Sequence, residues 1–215
     1  MVIVNASNLR QATKDAYFQL LASIAVVDDP EVWKEEPAVL VVTDPTADND
    51  AVDLGSHGYK YTKNYSTFFP EVDNGLMQLE ENHWQQVLYN PHHAEIITTH
   101  LKDHPYSRRA LSSMWTYDYL DLSKGGACLT ELYFRTKNGS IELHSHSRAN
   151  DAYRLLLLDM QVATAIQRIV AAKLKKPVES YIHFVDALRF YKKYESNIKK
   201  LAAYMQTAAA WNTEA

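Results

Sequence analysis

The sequence predicts one α+β domain, a mixed β-sheet packed against a long buried central helix. Three observations carry this. Residues 151–173 read as a helix that is apolar nearly all round at Leu155 to Leu158, as only a helix inside a core can be. Just before it, residues 128–136 and 140–147 read as strands joined by Asn138-Gly139, a strong two-residue hairpin signal. No internal repeat, low-complexity tract or linker divides the 215 residues, so 1–215 is expected to form a single domain.

The elements follow in order. Residues 7–25 have helical spacing at Ala12, Ala16, Leu20 and Leu21, with Ser7 or Asn8 as the cap. Pro37 to Val42 is a short apolar strand that stops at the Asp44-Pro45 turn. Residues 46–80 are irregular, with scattered glycines and aromatics, and read as long loops. His93 to His104 is a helix stopped by Pro105. Leu111 to Tyr117 is apolar enough for a strand. In 140–147, Ile141 and Leu143 alternate with Glu142, His144 and His146, a pattern with one buried face. Tyr181 to Val185 reads as a short strand and Ala187 to Ala209 as a final helix with a lysine-rich face.

Composition narrows the function classes. Hydrophobic residues make up 47% of the chain, enough for a substantial core, and the net charge of −4 argues against a broad basic face for nucleic acid. The first five residues lack the basic start and apolar run of a signal peptide. No run approaches the length of a membrane span, so a cytoplasmic protein is expected. Cys128 is the only cysteine, so no internal disulfide can form. His93, His100 and His104 fall near one helical face and His144 and His146 on one side of a strand. No cysteine or tight carboxylate set joins them, and no metal site is expected.

Several residues stand out chemically. Cys128 follows Gly125-Gly126-Ala127, a place for close backbone approach. Ser107-Arg108-Arg109 lies upstream and Arg148-Ala149-Asn150-Asp151 downstream. Asp159 interrupts an apolar helix run, where a carboxylate is costly without a partner or ligand. Ser107-Arg108-Arg109, Cys128, Arg148 to Asp151, Asp159 and Arg189-Phe190-Tyr191, with gaps of 19, 20, 11 and 30 residues, resemble in order and spacing the thymidylate synthase superfamily. The closest pattern is that of the deoxycytidylate hydroxymethylases. The resemblance is clearest over 93–195.

The resemblance implies a thymidylate-synthase-like fold and a one-carbon transferase acting at C5 of a pyrimidine nucleoside monophosphate. Cys128 would add to C6, with nearby arginines keeping the thiol ionised. Arg108, Arg109 and Arg148 would hold the 5′-phosphate, the Arg108-Arg109 pair reaching into a partner's site in a homodimer. Asp151 and Arg189 would also line the substrate site, and Tyr191 would meet the ribose 3′-hydroxyl. Thymidylate synthases carry Asn where this chain has Asp159, while the hydroxymethylases carry Asp. The expected substrate is therefore dCMP or CMP, the donor 5,10-methylenetetrahydrofolate and the product a 5-hydroxymethyl nucleotide. A dUMP or dCMP C5-methyltransferase and a non-catalytic nucleotide-binding homologue are the alternatives. Departures fall mostly on the folate side. Leu155 and Leu158 replace a glycine and a phenylalanine of the folate site, Ala149 replaces a phosphate-binding serine, and Asp53 is the nearest candidate for the family's catalytic glutamate.

Overall fold

The computed structural model describes residues 1–24, 27–47, 91–115 and 128–207. Along the chain these residues form β1 (Val2–Ala6), α1 (Leu9–Ala22), β2 (Val32–Val42), α2 (Pro91–Asp103), β3 (Leu111–Ser113) and β4 (Leu129–Lys137). β5 (Ser140–Ser147), β6 (Asn150–Asp151), α3 (Leu156–Leu174) and β7 (Val178–Tyr191) follow, then a 3-10 turn (Lys192–Tyr194) and α4 (Glu195–Thr207). The main path of the sheet is β1-β2-β7-β5-β4-β3, with β6 paired to β7. β1–β2, β5–β7 and β6–β7 are parallel and the other pairs antiparallel, so the sheet is mixed.

Local chemistry explains each end. Asn8 caps α1, its side-chain oxygen accepting from the Gln11 N–H at 2.8 Å. Leu9, Ala12, Ala16 and Leu20 form the buried stripe of that helix. Asn138 (φ 52°) and Gly139 (φ 83°) both adopt left-handed backbone, which a two-residue hairpin of matching twist requires. α3 stops at Lys175 (φ 54°), whose N–H satisfies the carbonyls of Ala171 and Ala172.

The core lies between one sheet face and the helices. Leu132 and Phe134 of β4, Ile141 and Leu143 of β5 and Tyr181 of β7 meet Leu156, Met160 and Val162 of α3 within one buried cluster. Each such aliphatic side chain contributes on the order of 1.5–3 kcal/mol by leaving water. The Tyr17 hydroxyl donates to the carbonyl of Ile198 at 2.9 Å, which ties α1 to α4 across almost the whole sequence.

The fold class is as the sequence predicts, a mixed sheet on a buried central helix. Five boundaries differ. The final helix begins at Glu195, because residues 187–191 continue β7 and pair with β2. The strand expected over 181–185 is accordingly fourteen residues long. β2 begins at Val32, well before Pro37. The strand expected from Leu111 ends at Ser113, and residues 116–117 lie outside the described residues. α3 starts at Leu156, since Asp151 and its neighbours form a short strand and turns. The loops expected over 46–80 fall mostly outside the described residues, as does Asp53.

Candidate active site

Three adjacent segments build the site: the start of β4, the β5–β6 connection with the first turn of α3, and the end of β7. Cys128 is half-buried at the head of β4, and its carbonyl accepts from the Arg148 N–H at 2.9 Å. That bond fixes the thiol's strand beside the Arg148-to-Asp151 segment. β6 then pairs with β7, with Asn150 opposite Leu188 and Asp151 opposite Arg189. The Ala152 N–H donates to the Arg189 carbonyl at 2.9 Å, which extends the join by one residue.

Asp151 organises the turn into α3. Its Oδ1 accepts from the Tyr153 and Arg154 N–H groups at 3.0 and 3.1 Å, and its Oδ2 pairs with Arg154 Nε at 2.6 Å. These bonds hold the chain out of helical conformation until Leu156, an Asx-type arrangement. Asp159 follows in the first turn of α3, where the helix dipole favours a carboxylate. Its Oδ2 accepts from Asn150 Nδ2 at 2.7 Å.

Arg189 pairs with Glu35 of β2, Nε to Oε2 at 2.5 Å. Burial works against the guanidinium charge, but the Tyr191 hydroxyl and the Glu35 carboxylate more than offset it, and its pKa moves up. Arg148 is exposed, with its guanidinium 5.9 Å from the Trp115 ring centre. Asp159, Arg148, Arg189 and Asp151 all act electrostatically on Cys128. Burial pushes the thiol up most and Asp159 adds to that. Arg148 and Arg189 pull it down, and the net movement is upward. This corrects the expectation that nearby arginines keep the thiol ionised. Within one chain, burial and a carboxylate outweigh them.

A test follows from this arrangement. Because the chain has one cysteine, alkylation by iodoacetamide reports Cys128 alone. Its rate is expected to rise with pH around a midpoint above that of an ordinary thiol. Asp159→Asn removes a negative neighbour and should move the midpoint down. A midpoint that stays put in the variant would show that the thiol does not feel this carboxylate.

Arg108 and Arg109 fall between α2 and β3. Both are exposed, in a turn fixed by Ser107, whose hydroxyl accepts from the Arg109 N–H at 3.1 Å and meets His100 Nε2 at 2.6 Å. Arg108 lines a groove of about 500 Å³ on the outer sheet face with Glu131, Tyr133, His144, His146 and Phe184. None of Cys128, Arg148, Asp159 or Arg189 lines that groove. Among the described residues, no group of three or more His, Cys, Asp or Glu is placed to hold a metal ion. No described helix is long and apolar enough to cross a membrane.

Sequence reasoning missed two polar members of this neighbourhood. Glu35 carried no signal, since only the β2–β7 register places it opposite Arg189. Asn150 was visible inside Arg148-Ala149-Asn150-Asp151 but was not singled out.

The family model for thymidylate synthase matches residues 41–210. Thymidylate synthase of Bacillus atrophaeus is 26% identical over 99 residues, which are 46% of this chain and 44% of that protein. Thymidylate synthase 1 of Bacillus subtilis strain 168 has the same identity over 46% of this chain and 36% of its own length. The alignments thus span less than half of these curated relatives. Among solved structures, the thermostable thymidylate synthase A from Bacillus subtilis matches with a TM-score of 0.45 and 23% identity, covering 51% of this chain and 40% of that one.

Proposed function

The chain belongs to the thymidylate synthase family, and from that premise we propose that it transfers a one-carbon unit to C5 of a pyrimidine nucleoside monophosphate, by addition of the Cys128 thiolate to C6. One observation carries the reading. Cys128, the sole thiol, lies in the combined field of Arg148, Arg189, Asp151 and Asp159, which come from the β5–β6 connection, the first turn of α3 and the end of β7. C5 of a pyrimidine is a poor nucleophile. Forming the S–C6 bond moves the ring π-electrons onto C5, which becomes enamine-like and able to attack an electrophilic carbon. The donor's amine then leaves with loss of the C5 proton, water adds to the exocyclic methylene to give a hydroxymethyl group, and departure of the thiolate restores the aromatic ring.

The substrate we propose is (d)CMP, and the product its 5-hydroxymethyl derivative. Cytosine presents N3 as an acceptor and N4 as a donor. Asp159 suits that edge: a carboxylate oxygen accepts from N4–H, and a carboxyl proton donates to N3. Donation to N3 withdraws electrons from C6 and assists thiolate addition. Arg148, exposed beside the site, would hold the 5′-phosphate, and Arg189 and Tyr191 would meet the sugar. Arg108 lines the sheet-face groove, and its own chain's Cys128 does not. Together with exposed Ile3, Leu111 and Phe184 on that sheet face, this supports a homodimer in which the pair serves the partner's site.

5,10-Methylenetetrahydrofolate would supply the one-carbon unit. Of the positions expected to meet it, Leu158 is packed into the core and Leu155 is partly buried against that core. Asp53, proposed as the acid near C5, lies outside the described residues.

The test is an assay with C5-tritiated dCMP, CMP and dUMP plus the folate, with the product read by mass. Tritium release from a cytidine nucleotide and a hydroxymethyl product are expected. No release from any of the three would overturn the enzymatic reading and favour a nucleotide-binding homologue. Preference for dUMP, unchanged in Asp159→Asn, would move the substrate to uridine.

A further inference from the structure

Asn150 is almost fully buried, at 3% exposure, beside the carboxylate proposed to read the base. Its amide has two ends with different fates. Nδ2 donates to Asp159 Oδ2 at 2.7 Å, while Oδ1 is buried with no hydrogen-bond partner among the described residues. Facing the ionised carboxylate, a turned amide would set Oδ1 against a carboxylate oxygen with no proton between them, so ionised Asp159 favours the observed orientation. What remains is an oriented acceptor next to Asp159, and an unmet buried acceptor favours a ligand that brings a donor.

We propose that Asn150 is a specificity-determining residue whose Oδ1 accepts the second N–H of the exocyclic amino group of a 4-aminopyrimidine. The proposal rests on the cytosine reading of Asp159 and extends it. A 4-amino group carries two hydrogens, and a single carboxylate at its edge takes only one. With Oδ2 of Asp159 accepting from both Nδ2 and one N4–H, the other N4–H meets Oδ1 of Asn150. Three hydrogen bonds then close a ring around the amino group. A uracil would set its O4 acceptor against Oδ1 with no proton to share. The pair Asn150–Asp159 thus selects for the amino base by a matched donor and against the oxo base by two facing acceptors.

The test measures binding of dCMP, dUMP and N4-methyl-dCMP to the full chain, as wild type and as Asn150→Ala. Wild type is expected to bind dCMP roughly tenfold or more tighter than N4-methyl-dCMP, whose methyl group displaces one donor hydrogen. In Asn150→Ala, dCMP should weaken roughly tenfold while dUMP holds or tightens, and the gap between dCMP and its N4-methyl analogue should close. Equal weakening of dCMP and dUMP would mean a merely structural role and would overturn the proposal. The wild-type comparison with the methylated nucleotide needs no variant to fold, and equal binding of dCMP and N4-methyl-dCMP there would overturn it too. Wild type preferring dUMP would remove the cytosine reading itself, and this inference with it. Wild type preferring dCMP with a preference unchanged in Asn150→Ala would remove this inference alone.

Discussion

Cys128→Ser is expected to lower C5 tritium release by roughly 10⁴-fold or more while nucleotide affinity changes by less than about threefold. The substitution keeps the side chain's size, and the backbone bond from the Arg148 N–H to the residue-128 carbonyl does not depend on the sulfur. Arg148, Arg189 and Asp159 keep their positions, so the nucleotide still has its contacts. What is lost is the anion. Burial and Asp159 already hold the thiol above its ordinary pKa, and a hydroxyl, far less acidic, in the same field would be essentially never ionised. The split between preserved binding and lost exchange is the informative result. A variant that still releases tritium at a substantial rate would place the nucleophile elsewhere, and one that loses both would make Cys128 a structural residue.

The local elements were legible because their signals are local. The Asn138-Gly139 hairpin, the Asn8 cap and the apolar α3 each follow from a few neighbouring residues. The end of β7 was not. Leu188, Tyr191 and Tyr194 recur at helical spacing, so Ala187 onward reads as helix. Pairing with β2, where Glu36 opposes Leu188 and Glu35 opposes Arg189, overrides that tendency. The difference matters for the site. Only as part of a strand can Arg189 lie opposite Asp151, and only then does the β6–β7 join bring the guanidinium into the field of Cys128. The ordered set of motif residues was readable along the sequence, and the structure gathers Cys128, Arg148, Asp151, Asp159 and Arg189. Arg108 instead lines the groove on the other part of the sheet, which none of Cys128, Arg148, Asp151, Asp159 and Arg189 does. The charge balance at the thiol was not readable, because burial outweighs the arginines and burial is a property of the packed chain. Glu142 shows the same limit. Strand alternation puts it opposite Ile141 and Leu143 and so toward solvent, yet it is fully buried.

Glu142→Gln is expected to destabilise the fold by about 2–3 kcal/mol at pH 7, with the difference from wild type shrinking as the solution is acidified. The carboxylate sits within four polar groups. Arg135 Nε lies at 2.5 Å, Lys137 Nζ at 2.7 Å, His144 Nε2 at 3.0 Å and Ser180 Oγ at 2.6 Å. Burial alone would push its pKa up. The hydrogen bonds from Lys137, Ser180, His144 and Arg135 win, and the carboxyl is held down to about 2. Its pKa is therefore lower in the folded than in the unfolded chain, where a glutamate titrates near ~4.3. Ionised Glu142 stabilises the fold fully above the unfolded value, and the stabilisation is lost as pH falls through about 2. Arg135 and Lys137 are 42% and 41% exposed and can rehydrate when the carboxylate is gone, which keeps the cost below that of stranding a fully buried cation. Urea unfolding of both proteins from pH 7 to pH 2 measures the effect. The gap should be level down to about pH 5 and close below it. A gap that persists unchanged to pH 2 would mean that the glutamine's altered packing, and not the lost charge, is what destabilises the variant.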